Sequence, residues 1–362
     1  MVLAALIACS EPPPPGILLV TIDTWRRDHF TPTLTPNATA LARRGRTYTD
    51  AWSPIGLTTP AHASLMTGLS PREHGVRANN HHGYVLDEAH STLAEELAAA
   101  GWATAAFVSA WPAGPVGGLG QGFASFDAPE DGERSGDVAV SAALSWLADR
   151  DGPWFAWVHL YEPHGPYDPG PEARAAVGGS GDAGGYDGEV WLADQRLGPL
   201  LEATRHAHVV LTSDHGEVHD EEVCGWQHER SSSEHVLAVP LIVAGPTVER
   251  GEDGRRVGLV DVADTVRQWA GLPMRGEGLE GGREVWVGES GLCDPGCSRG
   301  CAPEGVLGKD RVVVGPTSTW VERPGTPGHG DPALAKHLPP RAVQAPTGEL
   351  APETTRALGY TE

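Results

Sequence analysis

Residues 16–23 read GILLVTID, a nearly unbroken apolar run that closes on a carboxylate. A strand covered by helices on both faces has this composition, because neither face meets water and no alternation is needed. In an open parallel sheet such a strand delivers its last residue to the crevice beyond the carboxyl ends, where ligands bind. Asp23 is therefore a candidate functional residue, although an Asp at a strand end is more often a turn or cap residue.

The same alternation continues outward. HSTLAEELAAAG (90–101) has the Ser/Thr start and Gly stop of a helix, and WATAAFVSA (102–110) follows as a strand. DVAVSAALSWLADR (137–150) is helical, PWFAWVHLYE (153–162) extended, and YDGEVWLADQRLGPLLEATR (186–205) helical again. HVVLTSDHG (208–216) is a strand ending in Asp214 and His215; VPLIVAGP (239–246) and LVDVADTVRQWAGL (259–272) supply another strand and helix. GGSGDAGG (178–185) reads as a loop, and EVWVGESG and DRVVVG as short strands of a smaller terminal segment. Strands alternating with helices predict an α/β sandwich with a mostly parallel central sheet. The division expected is 1–15 leader and spacer, 16–275 catalytic domain, and 276–362 a smaller C-terminal segment packed on it.

Composition narrows the function. A net charge of −22, from 26 basic and 48 acidic residues, argues against nucleic acid or an anionic membrane surface as partner. It suits an acidic protein that holds a divalent cation. The N-terminal MVLAALIACSEPPPPG carries Leu6-Ile7-Ala8-Cys9, which resembles a bacterial lipobox, with Cys9 as the lipidated residue and four prolines as a stiff spacer. The run before Cys9 lacks Lys and Arg and is short for a leader. The expectation is an exported protein of the bacterial cell envelope, touching the membrane only through its lipid anchor. Of the remaining cysteines, Cys224, Cys293, Cys297 and Cys301 make an even set suited to disulfides, with three connectivities open. CDPGCSRGC is also compatible with a metal, though not at zinc-finger spacing.

Asp23 and the pair Asp214-His215 each close an apolar strand, so two strand ends can face one crevice. Two carboxylates and an imidazole suit one divalent ion: Ca²⁺, Zn²⁺ or Mn²⁺.

On these residues the chain resembles a sulfatase-type member of the alkaline phosphatase superfamily. The resemblance is carried by ILLVTIDTWRRDHF, LTTPAHASLMTGLSPREHGVR, VHLYEPHGPY, YDGEVWLADQRLGPLL and VVLTSDHGE, in the family's order, and by the closing TRALGY. It implies an alkaline-phosphatase-like sandwich. It also places Thr58-Thr59-Pro60-Ala61-His62 on the family's Cys-x-Pro-Ser-Arg box, with Thr58 as nucleophile and fourth metal ligand. The alternative is that Thr58 or Thr59 merely caps the helix that follows. His62 stands where the box has arginine, and Asn79 and Arg72 are further substrate contacts. Arg72 and His74 are equally readable as loop stabilisers. His164 and His228 fall where relatives keep acid–base or substrate-binding groups, and they are also placed to help hold a second metal. His159 and Glu162 are weaker candidates.

The departures carry chemistry of their own. Formylglycine cannot be made from Thr58, the family's paired acids are Asp23-Thr24, and its Gly-Lys-Trp-His segment is Val108-Ser109-Ala110-Trp111. An unmodified threonine is what phosphate-transferring relatives use. The resemblance thus implies a formylglycine-independent, metal-dependent hydrolase of a small-molecule or glycan ester of sulfate or phosphate. A head-group transferase on the same site and an inactive glycan-binding relative are the rival readings.

Overall fold

The computed structural model describes residues 16–80, 83–219, 228, 231–289, 311–322 and 328–338. The leader with Cys9, the other four cysteines and the TRALGY tail lie outside the described residues.

The central sheet has eight strands: β1 (Gly16–Ile22), β2 (Arg46–Trp52), β3 (Ala103–Val108), β4 (Ser125–Asp127), β5 (Trp154–Leu160), β6 (His208–Ser213), β7 (Leu241–Ala244) and β8 (Gly251–Gly258). Their spatial order is β4-β3-β5-β1-β6-β7-β2-β8. Only β7 runs antiparallel to its neighbours β6 and β2, so the sheet is mostly parallel as expected. Helices among the described residues are α1 (Pro36–Arg44), α2 (Thr58–Thr67), α3 (Pro71–His74), α4 (Leu93–Ala99), α5 (Gly136–Ala148), α6 (Gly170–Val177), α7 (Gly181–Ala203), α8 (Glu234–Leu237) and α9 (Val262–Trp269).

β1 shows why the opening stretch is apolar throughout. Ile17 and Leu19 enter the core under α2, α4 and α9, while Leu18, Val20 and Ile22 enter the core under α1, α5 and α7. Each such side chain, fully buried, stabilises the fold by about 2 kcal/mol. The less obvious strands are β2, TYTDAW after Arg46, and β8, GEDGRRVG. β8 is an edge strand with exposed charges, so it gives no apolar signal.

One expectation is corrected. The glycine run 178–185 is a loop only at its start; α7 begins at Gly181. A Cβ on Gly184 would sit 2.3 Å from the Gly179 backbone, and one on Gly185 would sit 2.8 Å from the Tyr167 carbonyl. These glycines permit close packing of the helix on the preceding segment. They do not mark flexibility.

The C-terminal segment contributes β9 (Trp286–Glu289), β10 (Arg311–Val314), β11 (Thr319–Glu322) and β12 (His329–Gly330), an antiparallel sheet in the order β12-β11-β10-β9. It docks through Trp286, which packs with Trp52, Val236, Leu237 and Val260 and donates Nε1–H to the Ser53 carbonyl at 3.2 Å. No helix among the described residues is long and apolar enough to cross a membrane.

Candidate active site

β5, β1 and β6 are adjacent and parallel, with Ile22 opposite Leu160 on one side and Ser213 on the other. The next residues of β1 and β6 are Asp23 and Asp214, so the register alone brings the two acids side by side. The chain then turns at Thr24, whose φ of 52° is left-handed. A β-branched residue there costs about 1–3 kcal/mol and persists only where its surroundings hold it. The Tyr186 hydroxyl of α7 does so, donating to the Thr24 carbonyl at 2.7 Å and accepting from the Arg26 amide at 3.0 Å. The turn sends the Thr24 amide to Asp214 Oδ1 at 3.3 Å, and the His215 amide joins it at 2.8 Å.

That leaves Asp214 Oδ2 without a hydrogen-bond partner, and Asp23 Oδ1 and His215 Nε2 share this condition. His215 Nδ1 donates to the Gly216 carbonyl at 3.0 Å, so its Nε2 presents a lone pair, 3.5 Å from Asp214 Oδ2 and 4.0 Å from Asp23 Oδ1. All three residues are fully buried, with ligand atoms within 4.8 Å of one another. Burial pushes both carboxyls up, and at Asp214 the neighbouring Asp23 adds to it. Burial alone would lower His215, but Asp214 and Asp23 outweigh it and raise it. Acceptors facing one another in a dry pocket fit a divalent cation of hard to borderline character.

α2 points its N-terminus at this cluster. Its N-cap is Leu57, with no side-chain capping bond. The Thr58 hydroxyl donates to Asp23 Oδ2 at 3.2 Å, and the Thr59 hydroxyl donates to the Pro112 carbonyl at 2.7 Å, so neither threonine caps the helix through its side chain. Asn79 Oδ1 instead accepts the Thr59 amide at 2.9 Å, while its Nδ2 is buried without a partner. A helix N-terminus with a free amide donor beside it favours an anion.

Comparison with known families places these elements together. The family model for sulfatases matches residues 15–272, which include Asp23, Thr58 and the Asp214-His215 pair. The chain belongs to the sulfatase family. Bovine (Bos taurus) arylsulfatase A is 37% identical over 115 residues, 29% of this chain and 22% of that protein. Among solved structures, a phosphonate monoester hydrolase from Silicibacter pomeroyi has a TM-score of 0.70 at 17% identity, covering 90% of this chain and 93% of that one. A Bacteroides thetaiotaomicron protein of glycosaminoglycan metabolism has a TM-score of 0.72 at 17% identity, covering 89% and 90%. At such identities the likeness is one of fold. The chain spans less than half the length of the curated relatives it matches, phosphopentomutases among them.

Within this sulfatase-family frame the box histidine has a defined place. His62 Nδ1 faces the Thr58 carbonyl at 2.8 Å and must donate to it, so Nε2 accepts from the Thr21 hydroxyl at 2.9 Å. Thr21 Oγ1 in turn accepts Trp157 Nε1–H and His159 Nδ1–H, each at 3.0 Å. His159 is thereby fixed with its Nε2 lone pair toward Asp23 Oδ2, 3.5 Å away. Burial keeps both rings neutral, lowering His62 to about 3 and His159 to about 4. His62 thus meets the Thr58 carbonyl, and its Nδ1 lies 3.8 Å from Asp214 Oδ2.

The structure brings His164 and His228 to the same crevice. Their ring centroids are 5.2 Å apart, and His228 stacks on His215 at 4.5 Å. Burial lowers His164 to about 4 and holds His228 well below its ordinary value. Arg72 is placed elsewhere, 3.6 Å from Glu289 at the docking seam of the C-terminal segment. His74 takes the stabilising role, accepting the Val76 amide at 3.1 Å and bonding Ser64 Oγ at 3.0 Å. Glu162 pairs with Arg196. Three contributors carry no sequence signal of their own: Thr21, Thr24 and Glu217. Glu217 lies inside TSDHGE, and its Oε2 sits 3.2 Å from both His228 Nδ1 and the Tyr167 hydroxyl, with its carboxyl pushed up to about 7 by burial.

Proposed function

We propose that this chain is a metal-dependent hydrolase of a sulfate or phosphate ester, with Thr58 as an unmodified nucleophile. The observation that carries the reading is the Thr58 hydroxyl itself. It stands at the first turn of α2, committed to Asp23 instead of to its own helix. Asp23, Asp214 and His215 would hold the divalent ion, which supplies Lewis acidity to the ester and lowers the pKa of a neighbouring hydroxyl.

The chain's own groups divide the remaining work. Asp23 Oδ2 receives the Thr58 proton along their existing hydrogen bond. The α2 N-terminus and Asn79 Nδ2 hold the non-bridging oxygens. Thr58 Oγ1 bonds to phosphorus or sulfur as the bond to the leaving oxygen breaks opposite it. His228 hands a proton to that oxygen. Its Nδ1 rests on the Glu217 carboxylate, which favours the imidazolium once an anionic ester lies beside it. Water then attacks phosphorus or sulfur, giving a proton back to His228, while the bond to Thr58 Oγ1 breaks and Asp23 returns its proton to that oxygen.

Phosphorus is the favoured centre, because a threonine alkoxide lacks the aldehyde hydrate by which formylglycine enzymes release sulfate. The test is a panel of aryl sulfate, phosphate monoester and phosphodiester with defined metals. Phosphate-ester turnover above aryl-sulfate turnover is expected, and no turnover of any ester would overturn the reading. Export and anchoring through Cys9 are part of the same proposal, supported by Leu6-Ile7-Ala8-Cys9 and the prolines after it. Detergent partition of the Cys9→Ser variant, unchanged from the parent, would remove that part.

A further inference from the structure

Beside the crevice lies an open cavity of about 260 Å³ that includes Tyr161 and His164 in its wall. It therefore adjoins the place where a leaving group would sit. Four carboxylates line it, Glu133, Glu162, Asp168 and Glu189, against two arginines. Both arginines are already engaged: Arg134 with Asp127 at 2.7 Å, and Arg196 with Glu162. Glu162 has a side chain only 5% exposed, and its Oε2 is buried without a hydrogen-bond partner. Glu189 is 7% exposed, and burial followed by the charge of Glu162 pushes its carboxyl up to about 8. The cavity is thus held short of positive charge.

A metal ion does not answer this need. Among the described residues, the only group of three or more such side chains whose ligand atoms come within 4.8 Å of one another is Asp23, Asp214 and His215. The cavity acids are spread around a space large enough for an organic head group. We infer that this cavity is the subsite for the alcohol part of the substrate and that this part carries an ammonium group, as an amino sugar or an amino alcohol. The inference rests on reading the neighbouring site as an ester hydrolase. An ammonium offers three N–H donors, which suits Glu162 Oε2 and the Glu189 carboxylate at once. It also accounts for a substrate that is anionic at one end, toward α2, and cationic at the other.

The test pairs esters that differ in one charge: glucosamine 6-phosphate against its N-acetyl form, and O-phosphoethanolamine against ethyl phosphate. The first pair reports an amino sugar and the second a small amino alcohol. In at least one pair the charged ester should have a kcat/KM higher by about tenfold or more. That ratio should fall toward one in Glu189→Gln, and in Glu133→Gln at the exposed mouth, where a folding defect is not expected. Ratios near one in both pairs, or ratios untouched by both variants, would overturn the subsite. If the parent turned over no ester, the hydrolase reading would fail by itself. The subsite would then stand or fall on saturation-transfer NMR with glucosamine and ethanolamine. Binding abolished by Glu189→Gln supports it, and no binding overturns it.

Discussion

Thr58 and Thr59 stand side by side at the start of one helix, and their variants separate chemistry from packing. Thr58→Ala should lose activity on the order of 10²-fold or more, because no other hydroxyl in the described site donates to Asp23. Thr59→Ala should keep most activity and lose about 1 kcal/mol of stability, since it removes one buried bond to Pro112. Kinetics and urea denaturation of the two variants decide between nucleophile and structural residue. Asp214→Ala should lose its divalent metal by elemental analysis, and metal content equal to the parent would dissolve the proposed cluster. Asp23, Asp214 and His215 are legible in sequence because each follows an apolar strand, where a charged residue has no packing reason to be. Thr21 and Thr24 are not legible. Thr21 looks like one more β-former within GILLVTID, and the left-handed turn at Thr24 depends on Tyr186, brought from far along the chain. Glu217 is hidden by proximity, since it reads as a solvated acid after a turn until the fold buries it under His228.

Among the elements, the short segment Arg27–His29 ties the end of β1 to α7. His29 lies 3.1 Å from Asp28 and 3.3 Å from Asp187. Burial lowers its pKa, but the two acids outweigh burial and raise it above 6.5. A raised histidine pKa means the folded state holds the proton more tightly than the unfolded chain. Its stabilisation is therefore complete below pH 6.5 and lost as pH rises through the folded pKa. His29→Gln should flatten the urea midpoint against pH in that window, by about 1 kcal/mol or less. A slope identical to the parent would show the pair to be inert. Buried strands announce themselves by unbroken apolar runs. β8 does not, because an edge strand is written in charges, and α7 conceals its first turn in glycines that exist for close packing. Such features depend on neighbours that a sequence window does not contain.

On the scale of the whole molecule, the small C-terminal sheet is fastened by a buried ion pair. Arg77 meets both oxygens of Glu289, at 2.9 and 2.8 Å, and each residue is 5% exposed. Glu289→Ala would take the paired carboxylate away from a buried guanidinium and should cost about 3 kcal/mol. Arg77 also lies two residues before Asn79, so activity should fall with stability. Glu289→Gln, which keeps the shape, should recover part of both, and a Glu289→Ala midpoint equal to the parent's would refute the fastening role.

The clamp also orders events in time. The loop leading into Thr58 gives its Ser53 carbonyl to Trp286, 233 residues later, and its Pro54 carbonyl to the Glu289 amide at 3.0 Å. By contrast, every proposed metal ligand, Thr58 included, has been synthesised once the ribosome has passed His215. A nascent chain would thus be able to gather Asp23, Asp214 and His215 well before the loop that leads into Thr58 receives its last partners. Competence to bind would precede competence to react, and the protein would leave its site of synthesis with the reactive step assembled last.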